Sequence, residues 1–313
     1  MGSIHSPVRV FPTPLWQAPD QMKWQEFAWY GIRFEAPAAW QVGKIGPRYL
    51  LIEDDSGPAL ELKWGQVVGR FSHRAHLRRL AALKGKKIGQ PVKECPIPPR
   101  WEEAVANYEA TGFSWQGRGI GGKGVLLYCP TCHTATLIQF YQKDGREVEK
   151  ISRRVLNSFL DHRGDHLLTW SLYDIRAILP QDFNLKQYRF EAGEFELSFA
   201  SKRQKLILHR WGPASMLLSD CDLIQIARTL IPNPYGVGVP LNLEEGEAVE
   251  WRIDPPATSW GRWWGRINRK SPFQWLRLWQ LPAKNRIMGV RIQSKESINP
   301  RFLDWVCEGY ESL

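Results

Sequence analysis

Cys129-Pro130-Thr131-Cys132-His133 is the sharpest chemical motif in this chain. Two thiolates separated by two residues can grip one zinc ion, because the intervening turn presents both sulfurs to the same point. Adding Cys95 and His133 would complete a Cys₃His set. Structural zinc sites usually take four protein ligands, however, and no second C-x-x-C is present to supply the other half. The same five residues fit a c-type haem attachment site, a reading that requires export, and Met1 to Pro19 lacks the apolar core of a secretory signal. A thioredoxin-like redox pair requires the motif at a helix start, where the dipole lowers the thiol pKa. Here Val125 to Tyr128 and Thr134 to Tyr141 read as strands on either side. The motif is therefore expected at a hairpin tip as a plain turn, with no cofactor, and zinc on Cys95, Cys129, Cys132 and His133 is the alternative.

Two cationic stretches come next. From Arg70 to Lys93 the chain carries Arg70, Arg74, Arg78, Arg79, Lys84, Lys86, Lys87 and Lys93, with His73 and His76. Leu77, Leu80, Ala81 and Leu83 form the apolar stripe of a helix, which leaves the cations outward as a solvated face or an anion-binding surface on Arg70, Arg74, Arg78, Arg79, Lys86 and Lys87. From Trp260 to Trp279, Trp260, Trp263, Trp264, Trp275 and Trp279 interleave with Arg262, Arg266, Arg269, Lys270 and Arg277. Aromatics beside cations stack single-stranded bases or anchor protein interfaces. Trp260, Arg262, Trp263, Trp264, Arg266, Arg269 and Lys270 are expected to hold the partner contact. Trp275 and Trp279 fit a sheet interior.

Recognised catalytic patterns are missing. Gly117 to Gly124 leads into a strand, so no helix N-terminus is available to hold a phosphate, and the run reads as a flexible loop. His162, Asp165 and His166 lie together at the expected domain boundary, where polar residues are ordinary and a metal is the alternative. The expectation is a non-catalytic binding or scaffold protein that engages a protein partner, with nucleic acid as the alternative partner and an enzyme without a recognisable motif as the third reading.

The elements that would carry these residues repeat. Tyr30-Gly31-Ile32-Arg33, Pro37 and Trp40 match Tyr173-Asp174-Ile175-Arg176, Pro180 and Phe183, five residues from Ile to Pro and three from Pro to the aromatic in both. Lys63-Trp64-Gly65 matches Arg210-Trp211-Gly212, and Glu103-Ala104-Val105 matches Glu247-Ala248-Val249. Each half reads as strands, a helix (72–84; 220–230, capped by Ser72 and by Ser219 or Asp220), more strands (103–110 with 124–141; 247–253 with 273–293) and a closing amphipathic helix. Residues 1–23 form an extended arm, 24–163 a first α+β domain and 164–313 a second, each an antiparallel sheet covered by helices. Through Pro37-Ala38-Ala39-Trp40 and Pro180-Gln181-Asp182-Phe183 both halves resemble the Mog1/PsbP-like fold, in which a Pro-x-x-Trp often follows the first strand. The resemblance concerns fold alone, because that family spans unrelated roles.

Composition sets the outer bounds. At 313 residues, 43% apolar and 24% charged, the chain is globular in type and long enough for two cores. No run of residues is long and apolar enough for a membrane helix. Five scattered cysteines do not make a disulfide framework and point to the cytoplasm. The net charge of +10 favours acidic partners.

Overall fold

Short hairpins with tight reversals start each half. The computed structural model describes residues 22–88, 92–117, 119–142, 148–162, 164, 166–231, 238–243, 246–254 and 273–313. Strands β1 (Trp24–Trp29) and β2 (Ile32–Pro37) reverse at Tyr30-Gly31, whose φ values of 47° and 88° match a primed two-residue turn. Alternation puts Phe27 opposite Phe34 on the core face, where the rings stack at 5.4 Å. Strands β10 (Leu167–Leu172) and β11 (Ile175–Pro180) reverse likewise at Tyr173-Asp174. In both hairpins a proline closes the second strand. The Trp40 N–H then returns to the Pro37 carbonyl at 2.9 Å and the Phe183 N–H to the Pro180 carbonyl at 3.0 Å, burying each aromatic at the same bend.

The rest of each half builds one large sheet. The first run is β3 (Gln41–Gly46), β4 (Tyr49–Asp54), β5 (Gly57–Gln66), α1 (His73–Ile88), β6 (Lys93–Cys95), α2 (Pro99–Glu102), β7 (Glu109–Gln116), β8 (Gly121–Tyr128), β9 (Thr134–Gln142) and α3 (Val148–Ser158). The second is β12 (Asn184–Glu191), β13 (Glu194–Ala200), β14 (Gln204–Trp211), α4 (Ala214–Asp220), α5 (Leu223–Leu230), β15 (Val239–Leu243), β16 (Gly246–Ile253), β17 (Phe273–Leu281), β18 (Arg286–Ser294), α6 (Pro300–Glu308) and β19 (Tyr310–Ser312). The sheets have strand orders β3-β4-β5-β9-β8-β7-β6 and β12-β13-β14-β18-β17-β16-β15, which correspond strand for strand. A third sheet, β2-β1-β10-β11-β19, joins the hairpins of the two halves, with Ala28 opposite Ser171. The fold is a mixture of helices and mostly antiparallel sheets, as the α+β reading expects.

One apolar core runs through both halves. Trp29, 1% exposed, packs edge-on against Trp170 at 5.3 Å and Tyr188 at 5.4 Å, and its indole N–H donates to the Gly46 carbonyl at 3.0 Å. α3 adds Val155 and Leu156 to this core, Phe159 just beyond its end joins them, and α6 adds Leu303 and Val306. The outer sheet faces bear smaller clusters. One lies under α4 and α5 (Leu223, Ala227, Trp251, Leu278) and one under α1 (Leu77, Leu80, Phe113, Leu126).

Several details differ from the sequence reading. Ser72 does cap α1, its hydroxyl accepting from the Ala75 N–H at 3.3 Å, but the second helical region is two helices. Asp222, not Ser219 or Asp220, caps α5 through a reciprocal capping box with Gln225. Glu103-Ala104-Val105 forms a 3₁₀ turn while Glu247-Ala248-Val249 lies in β16, so that match is coincidental. Gly121 to Gly124 belong to β8 and not to a loop. A Cβ on Gly124 would come 2.2 Å from the Ile138 carbonyl oxygen, so close strand packing explains that glycine.

The two Trp-Gly pairs are offset by one residue. Leu60, Leu62 and Trp64 alternate into the main core, and Leu206, Leu208 and Arg210 do so in the second sheet. Arg210 therefore stands where Trp64 stands, and Trp211 faces the opposite side, toward the cluster under α4 and α5. A one-residue slip exchanges faces because the side-chain period is two. Trp64→Ala is expected to cost about 3–5 kcal/mol, the range for emptying a large aromatic site, and half-buried Trp211→Ala clearly less. Urea unfolding of both variants checks this, and equal losses would refute the face assignment.

Candidate metal centre

Two independent pieces of backbone deliver the site. The first is the β8–β9 hairpin tip at 129–133, closed by the Cys129 N–H to the Thr134 carbonyl and the His133 N–H to the Cys129 carbonyl, both at 2.9 Å. His133 has φ 55°, which turns the chain back into β9. Its carbonyl accepts from the Val67 N–H at 2.8 Å, and the Gln66 side-chain amide donates to the Cys132 carbonyl at 3.2 Å, so the tip is pinned to the end of β5. The second piece is the chain leaving α3. Leu160 exchanges two 2.8 Å backbone hydrogen bonds with Arg33 on the edge of β2, and the Ser158 hydroxyl accepts from the Glu35 N–H at 2.8 Å. That clamp sets the next two residues, Asp161 and His162, beside the hairpin tip.

Cys129, Cys132, Asp161 and His162 each offer a donor atom there, all within 4.8 Å of one another. Cys129 Sγ lies 3.7 Å from His162 Nδ1, the Cys132 thiol donates to Asp161 Oδ2 at 3.3 Å, and His162 Nδ1 donates to Asp161 Oδ1 at 2.7 Å. The Asp161 carboxylate is 2% exposed, whereas the His162 ring is 44% exposed. Burial pushes the Cys132 thiol up to about 12, opposed by Thr134 beside it and reinforced by the Asp161 charge. Burial, followed by the Asp161 and cysteine charges, also raises the Tyr108 hydroxyl. Two sulfurs, an imidazole nitrogen and a carboxylate oxygen form a donor set that suits zinc.

The sequence reading found half of this site. Cys95 lies in β6, two strands from β8, and is not among the four donors. His133 is exposed, with Nδ1 2.9 Å from the Tyr128 hydroxyl. The alternative Cys₃His set is thus not assembled. Asp161 was missed, and His162 was grouped instead with His166 and with Asp165, which lies outside the described residues. Cys132, Asp161 and His162 also line a cavity of about 360 Å³ whose other walls include Trp64, Trp170 and Phe183, drawn from both halves.

The two cationic stretches have different standing. Trp260, Arg262, Trp263, Trp264, Arg266, Arg269 and Lys270 lie outside the described residues. Trp275 and Trp279 are buried in β17. On and before α1, Arg70, Arg74, Arg78 and Arg79 are exposed and meet no carboxylate among the described residues. Lys86 and Lys87 fall in its last turn, and their side chains lie outside the described residues. Beside α1 runs a groove of about 550 Å³ with Leu80, Leu126 and Leu137 in its lining and Lys63, Arg70 and Arg79 around it. Val68, at its edge, is 98% exposed.

A second cluster, Glu194, Glu196 and His209, resembles a metal site only in composition. The Arg189 guanidinium already bonds Glu194 at 2.6 Å and lies 3.7 Å from Glu196, so the carboxylates hold a cation. Burial first, then the charges of Arg291, Arg189 and Lys205, lowers His209 from 6.5 to about 3. Between those values the unfolded chain binds a proton at this residue and the folded chain does not, so stability is lost as pH falls from 6.5 toward 3. His209→Phe, similar in shape, is expected to flatten that slope. Urea midpoints measured from pH 7 to pH 4 check it, and an unchanged slope would assign the acid sensitivity elsewhere.

No protein-family model and no curated protein matches the chain. Among solved structures it is similar to a protein from Bacteroides thetaiotaomicron VPI-5482, at 14% identity and TM-score 0.29, over 49% of this chain and 52% of that one. It is also similar to the apo form of the immunity protein TplEi of the T6SS from Pseudomonas aeruginosa, at 7% identity and TM-score 0.25, over 88% of this chain and 97% of that one. The chain spans about half the length of the first. At these scores neither likeness carries an argument about fold or function.

Proposed function

We propose that this chain is a non-catalytic binding protein of the cytoplasm that engages an acidic, apolar-bearing protein segment along α1 and the groove beside it. One observation carries the reading: Arg70 and Arg79, which meet no carboxylate among the described residues, line a groove with Leu80, Leu126 and Leu137 that no acidic residue lines among the described residues. Arg74 and Arg78 stand at i and i+4, where like charges repel by about 0.2–0.5 kcal/mol. Arg74 also sits in the first turn, which contains no acidic residue, against the positive end of the helix dipole. Neither of these two lines the groove, and their charge adds to the positive field around it. Leu80, Leu126 and Leu137 in the lining favour a protein segment over nucleic acid, which would draw on exposed aromatic stacking platforms, whereas the Trp64 that also lines the groove is buried.

The same reading takes the chain as a tandem duplication of one α+β unit of Mog1/PsbP-like type, divided near residue 163. Matching strand orders and the shared Pro37–Trp40 and Pro180–Phe183 bends support the duplication. The Trp260–Lys270 stretch remains a second proposed contact, resting on its composition. Among the described residues no helix is long and apolar enough to cross a membrane.

Fluorescence anisotropy with two probes tests the binding surface: an amphipathic Glu/Leu peptide and a single-stranded oligonucleotide. The peptide is expected to bind more tightly, with affinity falling as salt is added. Arg70→Glu with Arg79→Glu is expected to weaken it at least tenfold without changing the fold, as judged by circular dichroism. Preferential binding of the oligonucleotide, or an unaffected double variant, would overturn the reading.

A further inference from the structure

We propose that Cys129, Cys132, Asp161 and His162 bind one structural zinc ion that staples the β8–β9 hairpin tip to the segment leaving α3. The donor types and their number match a closed four-ligand site. With ordinary zinc bond lengths, a tetrahedral ion separates its donor atoms by roughly 3.4–3.8 Å. The measured 3.7 Å between Cys129 Sγ and His162 Nδ1, and 3.3 Å between Cys132 Sγ and Asp161 Oδ2, lie close to that spacing. The whole set lies within about an ångström of it. Both backbone segments are held by hydrogen bonds of their own, so the donors converge without help from a metal.

Binding releases both thiol protons to solvent. The imidazole coordinates through Nδ1, its proton moving to Nε2 on the exposed side of the ring. Two thiolates and one carboxylate against Zn²⁺ leave a net charge of −1. The ion would lie at the wall of the interlobe cavity and tie the chain between the halves to the first sheet. This site is independent of the α1 surface, so its failure leaves the proposed binding function standing.

The test uses the full chain, purified under reducing conditions without added chelator. Elemental analysis is expected to find one zinc per chain. Cobalt substitution is expected to produce a thiolate-to-cobalt charge-transfer band together with tetrahedral d–d bands. Cys132→Ser is expected to lose the metal, and His162→Ala, at an exposed ring whose removal spares the core, to weaken zinc roughly 100-fold in competition with a chromogenic chelator. Cys95→Ser and His133→Ala are expected to retain one zinc. A wild-type chain that takes up neither zinc nor cobalt, or a folded His162→Ala with unchanged affinity, would overturn the site. So would metal lost from Cys95→Ser or His133→Ala with the fold intact.

Discussion

Trp29 is the contact on which both halves close. It lies at the end of β1, beside the pairing of β1 with β10, and its ring meets Trp170 from the second half edge-on. Tyr30 also packs against Trp170, and Tyr188 and Phe190 surround Trp29 from β12. Edge-to-face contacts of this kind add to area burial and fix ring orientation. The Trp29 indole N–H needs a partner once buried, and the Gly46 carbonyl at the end of β3 supplies it. Those contacts tie β1, the first large sheet and the second half to one point.

The two large sheets have matching strand orders but carry different chemistry at corresponding places. In the first, the Trp64 indole N–H donates to the Tyr30 carbonyl of the opening hairpin at 3.1 Å. In the second, the Arg210 guanidinium binds the Asp174 carboxylate of the corresponding turn, joined by Arg286 at 3.0 Å, and lies over the Phe195 ring. Both arrangements tie the central strand to the hairpin turn. The neutral bond leaves little exposed charge to desolvate. The ionic one requires its partners together, because a buried guanidinium left unpaired is costly. Opposite outer faces diverge further: α4 and α5 close over the second sheet, while α1 leaves a groove beside the first.

The proposed metal site depends on this frame. Its two cysteines belong to a hairpin tip whose position follows from β-sheet register. Asp161 and His162 depend on the Leu160–Arg33 bridge and the Ser158–Glu35 hydrogen bond at the edge of the interlobe sheet. Packing between the halves and the ligand geometry are therefore coupled. A shift of β2 would move Asp161 away from Cys132, and a metal across the four donors would in turn resist such a shift. The basic surface on α1 is separate, because it rests on local helix geometry and exposed side chains.

Local pattern determined a good deal here. Alternation in Phe195, Leu197 and Phe199, the Pro bends after β2 and β11, and the strands flanking Cys129 and Cys132 were legible, because each is encoded within a few residues. Trp64 and Trp211 were matched by identity, yet a one-residue offset placed them on opposite faces. Only cross-strand pairing decides which face a strand presents. Glu103-Ala104-Val105 failed for a related reason, since a triplet carries no information about the turn it will join. At the candidate site the paired cysteines were visible as a motif, whereas Asp161 and His162 lie about thirty residues further on with no spacing that announces them. Their meeting is a tertiary event, set by α3 packing on β2 and by the Leu160 bridge. Short-range periodicity encodes elements and turns. Convergence of donors from distant segments exists only once the sheets have docked.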